Sequence, residues 1–179
     1  MFPTLIFENI IDKKIMEEIV DSISNKVFQK APNNDSLESY QVKETFGNFD
    51  KIVEEINDKI NFFYRKKILS NSGTSIVRYT EGKFIGRHRD WEPSDPYVMQ
   101  NNKLKVDLAS VFYLNDDYDG GEICFFENIY SKNPYTIIKP KAGMCVFFDS
   151  SVYHETKPII SGVKYSYTTF YQLGERDDL

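Results

Sequence analysis

The chain has 179 residues, 41 % of them apolar, with 14 Phe and 12 Tyr and a formal net charge of -5. That length fits one domain, 1–179, around one core, and the aromatic bulk suits a sheet-rich interior. The acidic balance, with a pI near 5.1, disfavours a nucleic-acid partner, because duplex-binding surfaces are basic.

The chain opens on a short apolar run, Phe2 to Phe7, which reads as a strand. It is broken by Pro3, has no basic segment before it and is followed by Glu8, so no export signal is expected. No stretch reaches the ~20 apolar residues of a membrane-spanning helix, so no membrane association is expected. The two cysteines, Cys124 and Cys145, sit in apolar runs and read as reduced core thiols. A cytoplasmic setting is the expectation.

Asp12 is a candidate N-cap, after which Ile15, Met16, Ile19, Val20 and Ile23 recur at helical spacing. Residues 31–36, with Pro32, Asn33, Asn34 and Asp35, read as a loop. A second helix is predicted over about Asp50 to Lys67, with Ile52, Val53, Ile56, Ile60 and Phe63 as its apolar stripe and Tyr64 beside it. The first 70 residues are therefore read as helical support. From Ser75 onward the period is that of strands: Ser75–Thr80, Lys105–Leu114, Ile123–Phe126, Tyr135–Lys139, Met144–Phe148 and Val163–Tyr171, with an Asp/Gly turn at Asp116–Gly121. The fold class that follows is α+β, a sandwich or barrel of strands over about 75–171 with N-terminal supporting helices. One unpatterned insertion, Trp91 to Asn102, starts directly after Asp90 and is long enough to be read as a mobile lid, the alternative being a static flap that covers the barrel edge.

The chain has two histidines, and both stand in informative places. His88 and Asp90 are two residues apart, so on a strand an imidazole and a carboxylate point the same way. A third ligand must come from elsewhere, and His154 is the remaining histidine. Two imidazoles and one carboxylate on one face of an octahedral ion leave the opposite face open, a set suited to Fe(II). The plainer alternative is a local His88–Asp90 hydrogen bond with His154 on the surface, since short motifs match often by accident.

The surrounding residues make the pattern specific. Tyr79, Gly82, Phe84, His88 and Asp90 form Y-x-x-G-x-F-x-x-x-H-x-D. Tyr113-Leu114-Asn115 and Gly120-Gly121-Glu122 follow. Pro140, Gly143 and Phe147 come next, and His154, Pro158, Gly162, Lys164 and Ser166 close the series. In this order the motifs resemble the prolyl 4-hydroxylase-like branch of the Fe(II)/2-oxoglutarate-dependent oxygenases, over about residues 75 to 171. The resemblance implies a double-stranded β-helix (jelly roll), with His88, Asp90 and His154 as iron ligands. It implies Fe(II), 2-oxoglutarate and O₂ as cofactor and cosubstrates, with ascorbate as reductant. A compact ammonium such as Lys164 can hold the far carboxylate of 2-oxoglutarate, and Ser166, two residues on, shares its face. Tyr79 and Tyr113 are the implied phenol donors. Many relatives carry threonine after G-G-E where this chain has Ile123, which favours Tyr113 as the replacement donor.

The same resemblance narrows the chemistry. Halogenating relatives lack the carboxylate that Asp90 supplies, so hydroxylation is expected. Nucleic-acid demethylating relatives carry an arginine where this chain has Phe170. Many peptidyl-prolyl hydroxylases have an arginine where this chain has Val106, a departure that counts against a prolyl peptide; the substrate is nonetheless read as a prolyl or other residue of a protein or peptide. A free amino acid or other small molecule is the alternative, and a non-catalytic 2-oxoglutarate or metal sensor the weaker one. Arg87 and Arg89 flank His88, and two readings stand: contacts to a substrate, or solvated edge-strand charges.

Overall fold

A computed structural model describes residues 2–31, 34–42, 45–91 and 105–175. In chain order its elements are β1 (Leu5–Phe7), α1 (Lys13–Ile23), β2 (Gln29–Ala31), β3 (Asn34–Gln41), α2 (Asn48–Tyr64), β4 (Lys66–Tyr79) and β5 (Ile85–His88). Then follow β6 (Leu108–Tyr113), β7 (Asp119–Gly120), β8 (Ile123–Phe126), β9 (Thr136–Ile138), β10 (Cys145–Asp149), β11 (Tyr153–Thr156), β12 (Ile159–Ser161) and β13 (Lys164–Glu175). Asp12 caps α1 as expected, its carboxylate accepting from the Lys14 backbone N–H at 2.8 Å. Helix α2 ends where Arg65 turns left-handed at φ 53. Neither described helix is long and apolar enough to cross a membrane.

The strands form a large sheet in the order β1-β10-β6-β13-β4-β3-β2, a smaller one in the order β5-β11-β8-β9, and the pair β12-β7. The period-2 alternation of the large sheet explains its burial on both faces. On one face Phe112, Phe147, Tyr167 and Tyr171 pack against Ile19, Ile23, Phe49 and Ile60 of the helices. On the other, Ala109, Tyr113, Val146 and Phe148 meet Ile123 and Phe125 of the small sheet. Two facing sheets with helices behind the larger one are the α+β double-stranded β-helix expected.

The N-terminal third departs from its reading as helical support. Of the loop expected over 31–36, residues 32 and 33 lie outside the described residues, but Gln29, Lys30 and Ala31 pair antiparallel with Ser39, Glu38 and Asn34. Strand β4 begins at Lys66 rather than Ser75. Tertiary pairing overrides local composition here. Strand β3 is held by β4 through Glu38↔Arg78 and Ser39↔Val77, and Arg78 forks onto Glu38 at 2.7 and 3.0 Å. Strand β13 pairs with β4 from Lys164↔Tyr79 to Glu175↔Lys66 and so extends it. The expected Asp116–Gly121 turn contains β7, where Gly120 adopts φ 81 and a Cβ would stand 2.3 Å from the Pro158 carbonyl oxygen. Only glycine fits that approach. Of the insertion read as a lid, residues 92–102 lie outside the described residues.

Candidate active site

The two histidines face each other across the small sheet. His154 on β11 pairs directly with His88 at the end of β5, and their ring centroids lie 4.3 Å apart. Each Nδ1 donates to a backbone carbonyl two residues back, His88 to Gly86 at 2.8 Å and His154 to Val152 at 2.9 Å. A carbonyl can only accept, so each Nδ1 carries a proton and each ring turns Nε2 into the site, a bare lone pair whenever the imidazole is neutral. The packing of Phe148, with its ring 4.6 Å from that of His154, fixes the second imidazole further.

Asp90 completes the cluster from beyond the end of β5, not from the strand itself. Its backbone N–H, and that of Trp91, donate to the Ser150 carbonyl at 3.0 and 3.2 Å. Ser150 is in turn anchored, its N–H donating to the Asp107 carbonyl and its hydroxyl to that of Val106. The carboxylate then lies between the imidazoles, Oδ1 3.5 Å from His88 Nε2 and Oδ2 3.7 Å from His154 Nε2. Burial works against the Asp90 carboxylate, but His154 and His88 outweigh it and hold the carboxyl below its usual range. Burial also works against protonation of His88, which Asp90 reverses; at His154 burial prevails and the imidazole is held below its usual value.

These donor atoms lie within 4.8 Å of one another, a group that can hold a metal ion. The set fits Fe(II) on two counts. Asp90 Oδ2 is buried without a hydrogen-bond partner, and both imidazoles are held in the tautomer that presents a lone pair. Three protein ligands also leave coordination positions for other groups.

A cavity of about 240 Å³ runs from this cluster to Lys164. Lys164, 2 % exposed, donates to the Gly121 carbonyl at 2.9 Å and lies over the rings of Tyr79 and Tyr113 at 4.9 and 5.0 Å. Burial lowers the ammonium to about 7, although Glu122 pulls the other way. Burial likewise raises the Tyr79 and Tyr113 phenols, keeping both as neutral hydrogen-bond donors. Ser166 lines the same cavity, as its two-residue spacing from Lys164 requires. Ile123, the departure from threonine, is also in the wall. The expected site residues thus line one cavity.

Three residues were missed in the sequence. Thr156 lines the cavity together with Tyr79. Ser150 clamps Asp90. Gly86 supplies the carbonyl for His88. Arg87 is not a solvated edge charge: it lies on the Phe126 ring, pairs with Glu155 and donates to the carbonyls of Ile129 and Ser131. Arg89 stacks on Tyr153. A polar residue beside each ligand was the available signal, but its partner lies on another strand.

A jelly roll holding a His-Asp-His cluster opposite a buried lysine defines a class, and comparison with known proteins gives the family. The 2OG-Fe(II) oxygenase superfamily profile matches residues 74–172, more than half of the chain. The chain belongs to that superfamily, whose chemistry uses Fe(II), 2-oxoglutarate and O₂. A PKHD-type hydroxylase of Cupriavidus metallidurans is 34 % identical over 103 residues, covering 56 % of this chain and 43 % of that protein. This chain therefore matches less than half of that relative's length. A Trichoplax adhaerens prolyl hydroxylase, solved with a hypoxia-inducible-factor peptide, shares the fold at TM-score 0.70 and 18 % identity, over 94 % of this chain and 82 % of that one. A viral collagen prolyl hydroxylase of Paramecium Bursaria Chlorella virus-1, solved with 2-oxoglutarate, does so at TM-score 0.71 and 15 % identity, over 94 % of both chains.

Proposed function

We propose that this chain is an Fe(II)- and 2-oxoglutarate-dependent hydroxylase acting on an uncharged side chain, prolyl or other, within a protein or peptide. In this reading His88, Asp90 and His154 hold the iron. Lys164 holds the far carboxylate of 2-oxoglutarate, assisted by the hydroxyls of Ser166, Tyr79 and Tyr113. When bound, iron with O₂ and 2-oxoglutarate supplies the oxidising power that hydroxylates a C–H bond, 2-oxoglutarate leaving as succinate and CO₂. The protein's own residues do the rest. Gly86 and Val152 hold the imidazole protons away from the metal face, Ser150 fixes Asp90, and Phe148 and Ile123 exclude water. Ascorbate is the reductant we assign to returning oxidised iron to Fe(II).

One observation carries this reading: a buried ammonium with no carboxylate partner among the described residues shares a cavity with a three-ligand cluster. A ligand with a metal-chelating end and an anionic tail satisfies both ends at once. The remaining described wall includes Ser39, Ser75, Val111, Thr168 and Phe170, all uncharged. A free amino acid would bring an ammonium and a carboxylate that meet no further opposite charge among the described wall residues, which is costly in a buried site. That favours a residue inside a chain. The prolyl hydroxylase neighbours support proline as the first candidate. The test is succinate formation with Fe(II), 2-oxoglutarate, ascorbate and a library of end-blocked peptides. Stimulation by particular peptides is expected; stimulation by free amino acids alone would replace this reading with the small-molecule one.

A further inference from the structure

The two histidine-bearing strands are joined at an irregular point. His154 opposes His88, but Thr156 opposes Ile85, so the register slips by one between them. Gly86 and Arg87 together stand opposite Glu155, which is the arrangement of a β-bulge. The bulge lies next to the site, for Gly86 also supplies the carbonyl that accepts from His88 Nδ1 at 2.8 Å. It also leaves the ladder weak where the imidazoles must be held to a fixed spacing. A further slip of one residue would turn an imidazole to the opposite face.

Arg87 precedes His88 and Glu155 follows His154, so both side chains project from the reverse face of the sheet. There Arg87 Nε meets Glu155 Oε2 at 3.4 Å, with the two side chains only 18 % and 15 % exposed. The guanidinium lies 3.3 Å from the centroid of the Phe126 ring, and its Nη1 donates to Ser131 O at 2.6 Å and Ile129 O at 3.0 Å. Phe126 is on β8, which pairs with β11 through Phe126↔Tyr153. One guanidinium thus fastens three strands and the segment after β8 across the weak point.

We propose that Arg87 and Glu155 are positioning residues for the metal, a brace on the outer face that fixes the distance between His88 and His154 without touching the ion. The inference rests on the metal-site reading and adds to it a control on affinity from outside the cavity.

The probe is Co(II), titrated into the full chain without O₂, with the dissociation constant and the visible absorption spectrum read together. Arg87→Gln and the isosteric Glu155→Gln should each raise the dissociation constant about tenfold, the scale of losing a partner that orients a ligand. Each should also alter the Co(II) spectrum, because ligand geometry changes. Arg87→Lys, which keeps the charge but loses the fork, should recover part of the affinity. Lys157→Ala removes the other cation on Glu155, 2.6 Å away and on the exposed side, and should leave affinity unchanged. Circular dichroism of the metal-free variants establishes that they fold, and Glu155→Gln carries the test alone if Arg87→Gln does not. Wild-type affinity and spectrum in folded Glu155→Gln would overturn the brace. Absence of Co(II) binding by the wild-type chain would instead remove the metal site.

Discussion

At the metal end of the cavity three ionisable groups compensate one another. Asp90 lies between His88 and His154, its charge held by both, and the backbone of Gly86, Val152 and Ser150 fixes all three. At the other end Lys164 is more deeply buried and, among the described residues, is met by a carbonyl and two aromatic faces. The first end is assembled before any ligand arrives; the second is an ammonium whose counter-charge the ligand must bring. The difference shows how one cavity can hold a bifunctional molecule in a single orientation, chelating groups toward one sheet and the anionic tail toward the other.

The largest effect that would break this contrast is at the metal end. His154→Ala should abolish metal binding and 2-oxoglutarate turnover while far-UV circular dichroism stays native. Undiminished turnover would remove His154 from the site. Next, Lys164→Ala leaves the tail of 2-oxoglutarate buried without a cation, at a cost of ~2–5 kcal/mol, on the order of 30- to several-thousand-fold in affinity. Calorimetric titration giving the wild-type dissociation constant would place the tail elsewhere.

A third effect follows from Lys164 titrating near 7 in the free protein. A bound carboxylate favours the ammonium, so above about pH 7 binding must take up a proton. The 2-oxoglutarate dissociation constant should then rise with pH, by up to about tenfold per unit, and level off below 7. A flat profile between pH 7 and 9 would mean that the lysine is already compensated. The smallest effect has the opposite sign. Burial lowers Lys164 from 10.5 to about 7, so its protonated form costs the fold stability fully below 7 and not at all above 10.5. Lys164→Met should therefore stabilise the ligand-free protein at neutral pH by on the order of 1–3 kcal/mol. The gain should close as pH approaches 10.5, and chemical denaturation at pH 6.5 and 10 measures it.

Much of this was legible in the residues because the motifs name side-chain types at fixed spacings. With two histidines in the chain, the third ligand had one candidate, and Lys164 and Ser166 share a face by strand geometry alone. What stayed hidden depends on partners far along the chain. The β2–β3 pair looked like a loop because Pro32, Asn33 and Asn34 dominate its composition, while its strand state comes from pairing with β4. The early start of β4 at Lys66 depends on β13, more than a hundred residues away in sequence. Asp90 was expected on a strand with His88, but the carbonyl of Ser150 draws the backbone off the ladder. No local pattern announces the bulge at Gly86, since it exists only relative to β11.

The most direct test of the two-ended site is the affinity for 2-oxoglutarate measured without O₂, with and without Fe(II), on the wild-type chain and on His154→Ala. The account predicts tight binding that requires metal in the wild type and weak, metal-independent binding in the variant, since Lys164 alone then holds the ligand. Equal affinity in all four titrations would contradict it.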